Sequence, residues 1–539
     1  MSRGRAWIVS AALIFVVGCG SERGAREAEE PSAGPVPGGT CVIGLFSDLD
    51  GLNEFVSTDA NATEVMTNLL YTPLFRWGAD FELERALASA WEFSGDRREI
   101  TVTLRDDVLW HDGVPTTAAD VVFTFRMMKN PLLGYPDVGS LRPLEEVEAV
   151  GPHTVVFRFA RAYADQLPAL RRVILPHHLL GDVPAELMES ASFNRAPIGN
   201  GPFRFVRWKR DRELVLEANP DHFAGRPWLD RIVVRVIPDQ TAVETAFRSG
   251  ELDIVERLRF SSVPGLREED RYRVKTVPQR GFQFIGWNIQ NPLFAESAVR
   301  RAMTMAINRQ GILDALVFGQ GKVTAHPIMS LSQAYATEIA PHPYDPTEAS
   351  RILAELRWRD TDGDGVLDRD GQKFEFRIKT NLGNQLREDT LVMIQADLAR
   401  IGIAATPEVR EWTVFLDEIM AKDFDAYHMA WQSDFVVNPY DTFHSDAVLG
   451  KYNMGSYTNR EVDALIDRGL LARTHADALP IWREFQRVLH QEQPYTVLFE
   501  LNYSVGVSRR IRGVETDVRG FLLNAGEWWI APGDRRYAS

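Results

Sequence analysis

Two stretches of this chain carry residue types and spacings that could do chemistry. In Phe424-Asp425-Ala426-Tyr427-His428-Met429-Ala430-Trp431-Gln432-Ser433-Asp434-Phe435 an apolar, aromatic run reads as a buried strand. It delivers a tryptophan and, three residues later, an aspartate into a turn leading to Asn438-Pro439. A carboxylate beside an aromatic ring at the end of a buried strand meets a cation with little competing water. The plainer alternative is a solvated aspartate, the common state of that residue. The second stretch runs from Asp360 to Gly371 and spaces its carboxylates at alternate residues, a pattern that wraps oxygens around a hard cation. Asp360, Asp362, Asp364, Asp368 and Asp370, with the Val366 carbonyl, are the expected ligands of a structural calcium. Gly365 permits the sharp turn, and Gly371 stands where an EF-hand carries its bidentate glutamate. The alternative is a solvated acidic hairpin.

Other chemistry finds little support. The chain has no HExxH, Walker loop, GxGxxG or GxSxG motif. His177-His178 follows Pro176 at a turn and reads as an incidental pair. Asp106-Asp107 and Glu145-Glu146 read as solvated faces. No enzyme activity and no required cofactor are expected, and a secreted glycan-binding or hydrolytic protein is the rival class.

The 539 residues allow two or three domains, with 45% hydrophobic and 25% charged residues, enough apolar material for more than one core. A formal net charge of −15 argues against a nucleic-acid partner, because phosphates require a basic surface. The two cysteines, Cys19 and Cys41, exclude a disulfide framework or a cysteine-ligated metal cluster. Arg3 and Arg5 precede an apolar run from Ala6 to Val17, too short to span a bilayer comfortably, whose end begins the tetrapeptide Val16-Val17-Gly18-Cys19. This reads as an export signal over residues 1–18. It resembles a bacterial lipoprotein signal, which implies lipidation of Cys19 and a membrane held through that lipid anchor only. Residues 19–40 lack apolar periodicity and are expected to form a flexible tether. Cys41 reads as a buried residue of the first strand.

The elements that must position these residues alternate strand and helix, which points to α/β layers. Helices are expected over Ala62 to Tyr71, from Thr117-Ala118-Ala119-Asp120 in a variant capping box, over Thr241 to Ser249 ending at Gly250, over Glu411 to Asp423, over Asn384 to Ile401, and over Leu479 to His490. Strands are expected at Ile100 to Arg105, His153 to Phe159, Phe203 to Trp208, Glu213 to Glu217, Ile232 to Ile237, Gln283 to Asn288 and Tyr495 to Glu500.

A set of short motifs follows one order along the chain: Ala90-Trp91-Glu92, Thr103 to Val108, Trp110-His111-Asp112-Gly113-Val114-Pro115, Ala119-Asp120-Val121, Ile198-Gly199-Asn200-Gly201-Pro202-Phe203, Glu217 to Phe223, Trp287-Asn288, and Val299-Arg300-Arg301-Ala302 with Ala306-Ile307-Asn308. Together they resemble the extracellular solute-binding proteins of peptide and nickel ABC importers, over nearly the whole chain from Leu45 to Phe499. The resemblance implies a two-lobed periplasmic-binding-protein-like α/β fold with a hinge and a subdomain inserted in lobe I. Lobe I would hold residues 41–284, with the insert at about 81–191, and regain residues 502–539; lobe II would hold 285–501. It further implies a monomer that captures a peptide or peptide-like amine and presents it to a membrane ABC permease. A peptide sensor on the same fold, without import, is the alternative. Trp431-Gln432-Ser433-Asp434 matches the family's pattern, which implies that Asp434 takes the ligand's α-ammonium group, with Trp431, Ser433, Trp287 and Asn288 lining the cleft. Ser47, in the loop after the first strand, is expected to approach it. One departure stands out. Where dipeptide binders place an arginine for the ligand carboxylate, this chain reads Thr380-Asn381-Leu382, which leaves Asn381 at the site and only Lys379 or Arg387 as nearby cations.

Overall fold

The computed structural model describes residues 34–536. Its central feature is a long mixed sheet whose strands follow the order Ala404–Arg410, Glu375–Asn381, Ala426–Trp431, Phe282–Trp287, Tyr495–Ser508, Ile254–Val255, Thr40–Leu45, Arg231–Val236, Glu213–Ala218 and Phe203–Lys209. Two lobes hang on this path, and one strand belongs to both. The first half of Tyr495–Ser508 pairs with Phe282–Trp287, and its second half pairs with Tyr272–Pro278 and Ile254–Val255.

Alternation along the shared strands sorts their side chains, because successive residues of a strand face opposite sides of the sheet. In lobe II, Ile285, Trp287 and Leu498 enter one core with Phe376, Leu391 and Leu398. Phe284, Val497 and Met429 enter another, with Phe485 and Ile419. Helices therefore cover both faces, the arrangement that buried strands in α/β layers require. In lobe I, Ile43, Ile232 and Val505 join a larger core that also takes Ile100, Val102 and Phe157 from a separate antiparallel sheet. That sheet has the order Ala88–Phe93, Glu99–Leu104, Thr154–Phe159, Leu144–Gly151 and is covered by the helix Ala118–Met128. Cys41 is fully buried in the first strand.

Local chemistry sets the element ends. The helix Ala118–Met128 begins with a reciprocal Thr117/Asp120 capping box. Gln240–Ser249 is capped by Asp239 and ends at Gly250 with φ +84°. Trp412–Met420 is capped by the Glu411 carboxylate, which accepts from the Thr413 and Val414 amides. Several elements differ from the sequence-based expectation: the helix expected over Leu479 to His490 spans His475–Glu492, that expected over Glu411 to Asp423 is Trp412–Met420, and two others change in kind or length. The helix near residue 60 is α-helical only over Ala60–Val65 and widens to a π-turn over Met66–Leu70. The last long strand does not stop at Glu500 but runs on to Ser508, since the ladder with Tyr272–Pro278 supplies partners for its polar residues Asn502, Tyr503 and Ser504.

The chain also crosses between lobes at Gln279-Arg280-Gly281, where the Gln279 amide donates to the Leu501 carbonyl at 2.8 Å. Gly281 has φ +143°, and a Cβ there would collide with the Trp431 carbonyl oxygen, so the crossing needs a glycine.

Candidate functional site

The strand Ala426–Trp431 ends in register with Phe282, and both Trp431 and Phe282 face a cavity of about 650 Å³ between the lobes. This volume lies in the range of small-ligand sites. Beyond Trp431 the chain leaves the sheet and turns. Phe435 holds that turn by inserting from lobe II into lobe I, stacked on Phe81 with ring centres 5.1 Å apart and tilted on Trp77 at 5.3 Å. The anchored turn places Ser433 and Asp434 on the cavity wall. One Asp434 oxygen accepts from the Phe435 amide at 2.7 Å, and no cation of the described residues pairs with it.

The opposite wall comes from lobe I. Asp165 precedes the short helix Gln166–Ala169, and Arg171 and Arg172 follow it. Burial pushes the Asp165 carboxyl up to about 6; His475, with its Nδ1 3.9 Å away, opposes the shift and the negative charge of Asp434 adds to it. Burial also pulls the Arg171 guanidinium down, and the Asp434 carboxylate draws it back. Arg172 is tied to Asp137 and Ser140, each at 2.6 Å. The cavity therefore presents carboxylates from both lobes, Asp165 and Asp434 among them, and the guanidiniums of Arg142, Arg161, Arg171 and Arg172 from lobe I, chemistry suited to holding a charged ligand.

Of the expected site residues, Trp431, Ser433 and Asp434 meet at this cavity, and four do not. Trp287 lies at the other end of the ladder, fully buried in the lobe II core, with its indole N–H donating to Thr496 Oγ1 at 3.1 Å. Asn288 is spent on the backbone: its amide donates to the Phe424 carbonyl at 2.9 Å, and its oxygen accepts from the Gln290 amide. Ser47 is exposed away from the cavity, because Asp48 ties that loop to the Trp208 indole at 2.9 Å and the Asp211 amide at 2.8 Å. Asn381 accepts from Arg387 at 2.7 Å, on a strand separated from the cavity by Ala426–Trp431. Neither cation weighed for a carboxylate reaches the cavity. Lys379 is buried on Glu418 at 2.8 Å, and Arg387 is the donor to Asn381. Sequence reasoning missed Asp165 and Arg171, which sit in loops with no periodicity to mark them.

In the acidic loop, Asp360, Asp362 and Asp368 bring oxygens within 4.8 Å of one another. Asp364, Val366 and Asp370 are not gathered with them. Asp364 pairs with Lys373 and accepts from the Val366 amide, while Asp370, at φ +53°, turns to Arg357 at 3.5 Å. Lys373 also contacts Asp362 at 3.1 Å, so an ammonium already offsets part of the charge that a cation would meet. Three of the six expected ligands are therefore gathered, fewer than the six to eight oxygens that a calcium ion takes. His178 bonds Asp112 at 2.8 Å on the surface of lobe I. Cys19 lies outside the described residues. No helix among the described residues is long and apolar enough to cross a membrane.

A ligand-sized cavity that opens between two lobes sharing a strand is the architecture of a two-lobed solute-binding protein. Residues 82–449 match the model of the bacterial extracellular solute-binding proteins, family 5. Over 536 residues, covering 96% of each chain, the sequence is 32% identical to the oligopeptide-binding protein AppA of Bacillus subtilis. The solved structure of that protein in complex with a nonapeptide superposes with a TM-score of 0.76 over 92% of this chain and 100% of the other. NikZ of Campylobacter jejuni, solved with Ni(L-His), shares the fold at 24% identity and a TM-score of 0.77, over 91% of this chain and 99% of its own. The chain belongs to the family 5 extracellular solute-binding proteins.

Proposed function

We propose that this protein is the exported, lipid-anchored binding component of an ABC importer, and that it captures peptides or peptide-like amines between its lobes. The observation that carries the reading is Asp434, unpaired on the wall of the interlobe cavity at the end of Ala426–Trp431. An ammonium that enters a closing cleft loses hydration and needs a fixed opposite charge; such charge-assisted bonds are roughly twice as strong as neutral ones. A ligand that touches both lobes favours the closed state by its differential affinity. The name of the Bacillus subtilis relative, and its structure with a nonapeptide, support a peptide as the ligand class. Cys19 would carry the lipid and a membrane permease would receive the ligand. The protein would act as a monomer and perform no bond chemistry. Three converging carboxylates support a structural calcium at Asp360, Asp362 and Asp368, remote from the cleft.

Native mass spectrometry after incubation with a peptide mixture tests the class of ligand: an intact bound peptide is expected, and turnover would point to a hydrolase instead. Calorimetry with the recovered peptide tests the site. Asp434→Ala is expected to weaken binding 10-fold or more, on the order of 1.4 kcal/mol. Unchanged affinity removes Asp434 from the site. Uptake by a strain lacking the gene separates import from sensing.

A further inference from the structure

Two adjacent arginines on the lobe I wall have opposite circumstances. Arg172 is saturated: its guanidinium donates to Asp137 and Ser140 at 2.6 Å each, to the Tyr135 hydroxyl at 3.3 Å, and to the Ala169 carbonyl at 3.2 Å. Arg171 donates from its side chain to no other described residue and forms no ion pair with one; its one ring contact is Trp77, with the guanidinium carbon 5.9 Å from the ring centre. Yet it is half-buried, and it lines both the interlobe cavity and a second hollow of about 230 Å³ behind it, beside Glu54 and Tyr135. A guanidinium withdrawn from bulk water without a fixed partner is costly to hold. Its planar fork is shaped for two parallel bonds to a carboxylate. Asp434 faces it from lobe II with its own charge unpaired, and no salt bridge joins the two.

From this juxtaposition we infer that Arg171 is the ligand's carboxylate partner, so that the site selects peptides carrying a carboxylate as well as an ammonium group and clasps them between Arg171 of lobe I and Asp434 of lobe II. The inference rests on the peptide reading above. It also accounts for the departure at Thr380-Asn381-Leu382: the cation for the carboxylate comes from the opposite lobe. A ligand held by opposite charges on opposite lobes is gripped at both ends only when the lobes are shut, which supplies the differential affinity that closure needs. The carboxylate can be the chain terminus of a short peptide or an acidic side chain of a longer one, and both present the same two oxygens.

Calorimetry of the purified protein with four probes separates these sources: tetra-alanine with a free carboxyl terminus, tetra-alanine amide, Ala-Glu-Ala-Ala amide and Ala-Ala-Glu-Ala amide. The wild type is expected to bind at least one carboxylate-bearing probe 10-fold or more tighter than tetra-alanine amide, and which probe wins identifies the source. Arg171→Gln is expected to abolish that preference, so that the carboxylate-bearing probe and tetra-alanine amide bind within about twofold of each other. Asp434→Asn is expected to weaken all four alike. A wild type without the preference, or an Arg171→Gln variant that keeps it, overturns the assignment while leaving the peptide reading intact. Failure of all four probes to bind the wild type overturns both. Should Arg171→Gln fail to fold, Arg171→Lys, which keeps the charge and loses the fork, is expected to lose most of the preference; full retention overturns the assignment.

Discussion

Trp287 and Trp431 stand at opposite ends of one antiparallel ladder, Trp287 opposite Ala426 and Trp431 opposite Phe282. At one end the strands run into the lobe II core, where Trp287 packs on Phe294 with ring centres 4.8 Å apart and spends its N–H on Thr496. At the other end the sheet opens on the cavity, and Trp431 is half-buried, stacked on Phe284 at 6.2 Å with one side toward the cavity. Equal residue types on paired strands thus have different tasks. The difference lies in what caps each end: helices and apolar side chains close the Trp287 end, whereas the other opens on a cavity walled by both lobes.

The widest separation should come from truncating each ring. Trp287→Ala is expected to lower stability by about 3–5 kcal/mol, the usual cost of removing a buried aromatic, while the ligand affinity of the folded fraction is retained. Trp431→Ala should do the reverse, weakening binding with a smaller loss of stability. Denaturant titration and calorimetry on both variants check this, and parallel losses in both would erase the distinction.

A smaller effect is expected at the lobe I wall. The Asp165 carboxyl is raised to about 6 from its ordinary 3.8, so between these values the folded protein binds more protons than the unfolded chain. Stability therefore falls as pH rises through that window, and the penalty is complete above it. Asp165→Asn should raise the melting temperature by roughly 2 °C or more at pH 7.5 and by nothing at pH 3.5. A pH-independent gain would assign the effect to something other than this titration.

The smallest effect belongs to the acidic loop. Calcium should raise the melting temperature through Asp360, Asp362 and Asp368, and chelation should leave ligand affinity unchanged. An affinity that follows calcium would place that loop in the binding machinery.

The lobe II wall was legible in the sequence because a buried strand announces itself. Ala426–Trp431 is an apolar and aromatic run broken only by His428, and the aspartate three residues past its end is fixed by chain connectivity. The lobe I wall was not legible. Asp165 and Arg171 flank a helix of four residues, too short for any period, and a doublet such as Arg171-Arg172 reads as solvated charge when the partners of Arg172 lie more than thirty residues upstream at Tyr135, Asp137 and Ser140. The same limit explains Tyr495–Ser508. Asn502, Tyr503 and Ser504 end the apolar run, and only the distant strand Tyr272–Pro278 keeps them extended. Trp287 and Asn288 failed as site residues for a related reason: periodicity says which residues are buried but not whether they meet a core or a cavity.

Gly281 carries a consequence for how the molecule opens. It lies in the crossing between lobes, and its bare backbone rests against the carbonyl of Trp431. Pivot and pocket floor are therefore in direct contact. Any swing of the lobes must tug on the residue that floors the pocket, and a guest that presses on that floor is felt at the joint without a relay between them.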